Sequence, residues 1–222
     1  MQHNFQSYVA EIEKTHSVIE PHIQNTPLLN SKELDTKLGM QVFCKAENLQ
    51  VTGSFKIRGA LSAISRLTDE QLKKGVLAYS SGNHAQGVAK AAHCYGTKAT
   101  IVMPKDAPSI KIAKTQSLNP KIIFYDRESE IREEIGAKIA DKNGLTIIKP
   151  YDAMETIYGQ GTAALEAIKQ TPISFDIALI CAGGGGLTAG CSIIFKHHNP
   201  NIQIFTTEPE EWNDQERSYA SG

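Results

Sequence analysis

The sequence has no pair of cysteines at CxxC spacing, no apolar run long enough to span a bilayer and no surplus of positive charge. Its four cysteines, Cys44, Cys94, Cys181 and Cys191, are scattered, and none has a histidine at ligand spacing. That excludes a thiolate metal site or a disulfide framework and leaves free thiols, read here as buried or inert. Lysine and arginine number 23 against 24 aspartate and glutamate, and no basic stripe interleaves with aromatics, so nucleic acid is excluded as a partner. The first residues, MQHNFQSYVAEIEKTHSVIEP, lack the basic start and apolar run of a secretory signal, so a cytoplasmic protein with no membrane contact is expected. There is no internal repeat or low-complexity tract, and a chain of 222 residues is large enough for one or two packed domains.

What is present is an alternation of two periods. Short β-rich apolar runs at 76–79, 100–103, 122–125, 146–148, 177–181 and 202–206 alternate with helical patterns at 83–95, 129–141 and 156–169. This predicts an α/β fold with largely parallel sheets. The N-terminal part differs: residues 7–19 read as an amphipathic helix stopped at Pro21, and residues 31–38 as a second helix closed by Gly39. Turn chemistry at Lys74-Gly75 and Lys149-Pro150 marks the best domain breaks. They bracket a small inserted α/β domain over residues 75–149. Residues 1–74 and 150–222 then pack together as a larger domain.

Three segments carry glycine where a β-like run gives way to a helix. After the strand at 177–181 come Gly183, Gly184, Gly185 and Gly186, then Leu187 at the head of a helical stretch. Glycines there let several backbone N–H groups converge on one point, which at a helix N-terminus is a phosphate site. No Lys-Ser/Thr follows, so this is not a Walker loop, and its place late in the chain does not suit a dinucleotide fingerprint. A second segment, TGSFKIRGA, sets Lys56 just inside a helix start beside Phe55. A lysine near the positive end of a helix and against an aromatic ring is suited to a depressed pKa, and so to Schiff-base chemistry with an aldehyde. The third, SSGNHAQG, follows the strand at 76–79 and gathers hydroxyls, an amide and free helix N–H groups. It can seat a carboxylate, and Ser81 or Asn83 can cap the helix.

In this order and at these separations, together with Asn48-Leu49-Gln50 and Gly159-Gln160-Gly161-Thr162, the segments resemble the threonine/serine dehydratases and serine racemases. These are pyridoxal-phosphate enzymes of fold-type II. The resemblance runs through essentially the whole chain. It implies the tryptophan synthase β-like architecture of two three-layer α/β domains. Family members extend beyond the point where this chain stops, so the C-terminal part of the large domain is expected to be missing, with cofactor hold and turnover weakened. Related cysteine synthases usually carry Thr-Gly where this chain has His84-Ala85, which places them behind.

The resemblance also implies roles. Lys56 carries pyridoxal 5'-phosphate as an imine, Phe55 packs beside its ring, Asn83 bonds its phenolic oxygen, and Gly183, Gly184, Gly185, Gly186 and Leu187 cradle its phosphate. Ser80, Ser81, Asn83 and His84 hold the substrate carboxylate, and Arg132 closes over it unless it merely pairs with a neighbouring glutamate such as Glu128. Glu208, the Trp212 carbonyl and Asp214 resemble a site for Mg²⁺ or Ca²⁺, the other reading being a solvated acidic turn. The implied reaction converts L-threonine, L-serine or a related β-hydroxy amino acid to a 2-oxo acid and ammonia. Serine racemase, with Ser81 returning the proton to the opposite face, and a non-catalytic binding remnant are the alternatives. Asn213-Asp214 with Arg217-Ser218 favours elimination. A homodimer is the usual assembly of the family.

Overall fold

The computed structural model describes residues 2–221. The chain begins with helix α1 (Gln2–Ile19), followed by a 3-10 turn that carries Pro21. A small antiparallel pair, β1 (Leu28–Asn30) and β2 (Phe43–Lys45), encloses α2 (Lys32–Leu38). Ser31 caps α2 through its side chain, and Gly39 closes it in the left-handed conformation, as its position after the last apolar residue predicts. Helices α3 (Lys56–Ile64) and α4 (Asp69–Lys74) lead into the central part. There β3 (Val76–Tyr79), α5 (Asn83–Cys94), β4 (Ala99–Pro104), α6 (Ser109–Gln116), β5 (Lys121–Tyr125), α7 (Arg132–Asn143) and β6 (Thr146–Ile147) alternate. The chain continues through α8 (Met154–Lys169), β7 (Ile177–Cys181), α9 (Gly186–His198), β8 (Gln203–Thr207) and α10 (Asp214–Ser221).

The four strands of the central part form one parallel sheet in the order β5-β4-β3-β6. Because side chains alternate along a strand, each strand feeds two cores. Val76, Ala78, Ile101 and Met103 face α3 and α5, while Leu77, Tyr79 and Val102 face Ile135 and Ile139 of α7. That makes a helix-sheet-helix stack of three layers, the α/β architecture that the alternation predicts. The strands β7 and β8 pair in parallel and pack Ala178, Ile180 and Ile204 against α1, α8 and α9. The other face of this pair, with Leu179 at 70% and Phe205 at 49% exposure, is open. The antiparallel β1 and β2 and the helices α4 and α6 have no counterpart in the sequence reading. Each is short, and such pieces give too few periodic positions to be seen.

Helix α3 is tied to the rest by charge. Arg58 is fully buried, and all five of its N–H groups are taken. Nε and Nη2 donate to Glu47 at 2.8 Å each, Nη1 and Nη2 donate to Glu166 at 2.7 and 2.8 Å, and Nη1 reaches Thr162 Oγ1 at 3.2 Å. Lys45 Nζ adds a 2.7 Å bond to Glu166. Burial alone would raise the Glu166 carboxyl, but the bonds from His16 and Arg58 and the charge of Arg58 outweigh it and pull the pKa down to about 2. Beside this network the backbones touch. A Cβ on Gly159 would collide with the Arg58 carbonyl, and one on Gly190 with the Ile157 carbonyl, so α8 lies directly on α3 and α9 directly on α8.

Replacing Glu166 by glutamine leaves Arg58 with less compensating charge in a buried site, and the expected loss is about 3–5 kcal/mol in a denaturant titration at neutral pH. The sign of the pH dependence follows from a depressed carboxyl. The stabilisation is complete above the ordinary value of 4.5 and is lost as pH falls through about 2. The parent chain should therefore lose an increment of stability across that window that E166Q lacks. Equal acid sensitivity in the two chains would contradict this assignment.

Candidate active site

The chain reaches Lys56 through a tight turn in which Thr52 and Gly53 both take left-handed backbone conformations, with φ of 70° and 74°. Phe55 is the N-cap of α3 and Lys56 its first residue. The Lys56 amine donates a 2.8 Å hydrogen bond to the carbonyl of Pro150 and lies 5.3 Å from the centre of the Phe55 ring. Burial lowers its pKa below the ordinary lysine value, against a smaller opposing pull from Cys181. The depression expected from the sequence is present, but its leading cause is desolvation rather than the helix end.

The residue after Pro150 connects this amine to the glycine loop. The Tyr151 ring lies where a Cβ on Gly184 would stand, and its backbone meets Gly186. Gly185 has φ of 79° and caps α9 without any side-chain bond, so the first-turn N–H groups from Gly186 through Leu187 to Thr188 have no side-chain cap. Gln215 of α10 secures the loop from outside, donating to the Gly183 carbonyl at 2.6 Å.

The third segment also arrives at this end of the central sheet. Ser80 extends β3 by donating its N–H to the Val102 carbonyl at 3.0 Å, and Ser80 and Ser81 are half-buried. The N-cap of α5 is Gly82, with no side-chain cap from either Ser81 or Asn83, and Asn83 is exposed at the first helical position. His84 is turned inward. Only 4% exposed, it donates from Nε2 to the Ile148 carbonyl at 2.8 Å. Burial first, then the nearby Lys56 charge, push its pKa down to about 4 against the favourable Ile148 carbonyl. The ring is therefore neutral at physiological pH, and it offers a ligand its Nδ1 lone pair and its backbone N–H rather than a positive charge.

Arg132 opens α7 with its guanidinium 5.9 Å from the centre of the Tyr79 ring, one residue from Ser80. Its carboxylate partner is Glu133, at 2.7 Å from Nε, and not Glu128. Of the expected cation ligands, the Glu208 and Asp214 carboxylates have hydrogen-bond partners within the chain. Both oxygens of Glu208 accept the Gln215 N–H at 3.1 Å, one also accepts the Glu216 N–H at 3.2 Å, Asp214 bonds Arg217, and Trp212 is 70% exposed. Glu208 thereby serves the N-terminus of α10. Among the described residues no three His, Cys, Asp or Glu side chains gather as a metal site. The cysteine reading needs correction: Cys191 is buried and its thiol pushed up to about 12, but Cys44 and Cys181 are exposed. All four thiols are free.

Buried polar atoms without partners flank the amine and the loop: Thr52 Oγ1, Ser54 Oγ, His84 Nδ1 and, in the first turn of α9, Thr188 Oγ1. A ligand with an aldehyde, ring oxygen or nitrogen acceptors and a phosphate suits such a lining, because each orphaned group gains a partner. The sequence did not single out Pro150 and Tyr151 as part of the site. Their only signal was the Lys149-Pro150 turn, read there as a domain break. A direct check on the amine is competitive acylation with acetic anhydride across pH. The midpoint for Lys56 should fall below the ordinary lysine value of 10.5, and a midpoint at or above it would count against a desolvated, activated amine.

Comparison with known proteins agrees with this geometry. Residues 19–222 match the family model described as "Pyridoxal-phosphate dependent enzyme". The chain is 45% identical over 204 residues to L-threo-3-hydroxyaspartate ammonia-lyase of a Pseudomonas species, covering 92% of this chain and 64% of that protein. It is 40% identical to a catabolic L-threonine dehydratase of Staphylococcus aureus, covering 95% of this chain and 61% of the other. The solved structure of maize serine racemase superposes with a TM-score of 0.92 at 38% identity, over 96% of this chain and 64% of that one. The chain thus spans a little under two thirds of the length of these relatives. No helix among the described residues is long and apolar enough to cross a membrane. With a half-buried lysine, a glycine loop at a helix N-terminus and a family match across 19–222, the chain belongs to the pyridoxal-phosphate-dependent enzymes, on the branch that contains the ammonia-lyases and serine racemases.

Proposed function

We propose that the chain carries the cofactor site of an ammonia-lyase that converts a β-hydroxy amino acid such as L-threonine, L-serine or 3-hydroxyaspartate to a 2-oxo acid and ammonia, the water lost on elimination being returned when the product hydrolyses. One observation carries this reading. The dipeptide Pro150-Tyr151 touches both halves of the site, its first carbonyl holding the Lys56 amine at 2.8 Å and its tyrosine ring lying on Gly184. An aldehyde and a phosphate belonging to one small molecule can be met there together.

Pyridoxal phosphate, when bound, supplies the electron sink that makes an amino-acid Cα proton removable. The chain supplies the rest. The uncapped first turn of α9 binds the phosphate through Gly186, Leu187 and Thr188, with Gly183, Gly184 and Gly185 keeping side chains out of its way. Asn83, exposed at the head of α5, and the uncapped N–H groups of that turn bind and orient a carboxylate between Ser80 and Ser81. Arg132, held over Tyr79, lies at the same strand end and adds positive charge toward it. Lys56 moves the proton: its burial favours the neutral amine, which is the form able to accept one at Nζ. Ser81, half-buried on the facing segment, is the hydroxyl available to carry a proton on the other side.

A serine racemase is the second reading, favoured by the close superposition on the maize enzyme. It uses the same lysine and the same serine. One experiment separates the two. Purified chain supplied with pyridoxal phosphate is expected to show visible absorbance that borohydride fixes onto Lys56. On a panel of L-threonine, L-serine and 3-hydroxyaspartate, 2-oxo acid should form faster than D-serine accumulates. Racemisation outrunning elimination would reverse the ranking. Cofactor fixed equally well to the same site in Lys56→Ala would remove the lysine from its role.

A further inference from the structure

Three successive carbonyls between β6 and α8 each accept a side-chain hydrogen bond from a different helix. His84 of α5 donates to Ile148 at 2.8 Å, Thr156 of α8 to Lys149 at 3.0 Å, and Lys56 of α3 to Pro150 at 2.8 Å. The segment starts on β3, where the Ile148 N–H meets the Leu77 carbonyl at 2.8 Å. It ends with Tyr151 on the glycine loop and Asp152 in a left-handed conformation, φ 51°, that turns the chain into α8.

We propose that Thr156, which is 1% exposed, is a positioning residue for Lys56 and acts through this strap. The proposal rests on the reading of Lys56 as the cofactor lysine. The mechanical argument begins with Pro150. Its ring fixes φ, and its presence confines Lys149 to extended backbone. The Lys149 carbonyl and the Pro150 nitrogen share one rigid peptide plane, so a hydrogen bond that fixes the carbonyl fixes the plane. With that plane set by Thr156 and φ set by the ring, a single free torsion, ψ of Pro150, separates the Thr156 hydroxyl from the carbonyl that holds the Lys56 amine.

His84 fixes the plane before it, so the strap is clamped on both sides of Lys149. The methyl of Thr156 meets Gly59, the third residue after Lys56, so the same side chain also touches the helix it helps to aim. His84 belongs to the site itself, which makes Thr156 the cleaner place for a test, since its hydroxyl reaches the amine only through backbone.

The test compares the parent with Thr156→Val, which keeps the shape and loses the donor, and with Thr156→Ser, which keeps the donor. Thr156→Ala stands in if the valine chain does not fold, and denaturant midpoints are recorded for every chain. Without cofactor, hydrogen exchange of the peptide covering residues 148–153 should be faster in T156V than in the parent. It should be near parental in T156S, with peptides from α4 and α6 unchanged. With pyridoxal phosphate added, visible absorbance fixed onto Lys56 should form about five- to tenfold more slowly in T156V and within about twofold of the parent in T156S, the scale of one hydrogen bond. T156V matching the parent in both measurements would overturn the proposal. So would T156S behaving as T156V, since packing rather than the hydroxyl would then be responsible. If the parent itself takes up no cofactor on Lys56, the cofactor reading fails, and the exchange comparison alone decides whether Thr156 orders the strap.

Discussion

Five N–H groups on a fully buried guanidinium have to find five acceptors, and the way Arg58 finds them sets the rest of the structure. Its acceptors come from the turn at Glu47 and from Thr162 and Glu166 of α8, segments far apart in sequence. A buried ion pair of this kind adds little stability over a well-packed apolar substitute, but an arrangement that leaves one partner unmatched is heavily penalised. Its effect is selection, because a placement of α3 that left any of these donors unmatched would be disfavoured. Successive helical residues are rotated by about 100°, so Lys56, two positions from Arg58, points about 200° away from it. With the arginine aimed into the interface with α8, the lysine is turned toward the strap and the glycine loop.

The environment that receives Lys56 is dry enough to matter chemically and polar enough to keep order. Desolvation is the leading cause of the lowered values for both Lys56 and His84, and the Lys56 charge adds to the lowering at His84. The two groups avoid conflict by donating to different carbonyls of one strap, Pro150 and Ile148. In the proposed role of Lys56, which has to accept and release protons, a neutral histidine beside it holds the backbone without adding a competing charge.

Much of this was legible in the sequence, and the reasons for the rest are specific. The parallel strands were readable because Val76, Leu77 and Ala78 or Ile101, Val102 and Met103 are buried on both faces and stand as uninterrupted apolar runs. The glycine loop was readable because its four residues have no simpler explanation together. Arg58 was not, since arginine is ordinarily a surface residue and nothing local distinguishes one whose partners lie 11 and 108 positions away. The inward turn of His84 was hidden for the same reason: its partner is a backbone carbonyl 64 residues on, and a carbonyl leaves no mark in a sequence. The capping of α5 was misplaced by one residue, because Ser-Gly-Asn offers two ordinary caps and the structure uses Gly82, which leaves the turn's N–H groups open.

The spacing between the lysine and the glycine loop is then a property of backbone rather than of side chains. Helix α3 meets α8 where Gly159 lies against the Arg58 carbonyl and the Gly59 Cα, and α8 meets α9 where Gly161 and Gly190 lie against each other. Contacts between backbones have no rotamers through which to relax, unlike a seam of leucines or methionines, and any displacement is felt along the whole helix. The Gly-Gln-Gly-Thr run on α8 thereby acquires a role without touching a ligand. It sets α3 and α9 at a fixed separation, with Thr162 of the same run completing the shell of Arg58. On the proposed reading, in which one helix meets an aldehyde and another a phosphate, the site gains most from this kind of rigidity, because the geometry is in place before the small molecule arrives.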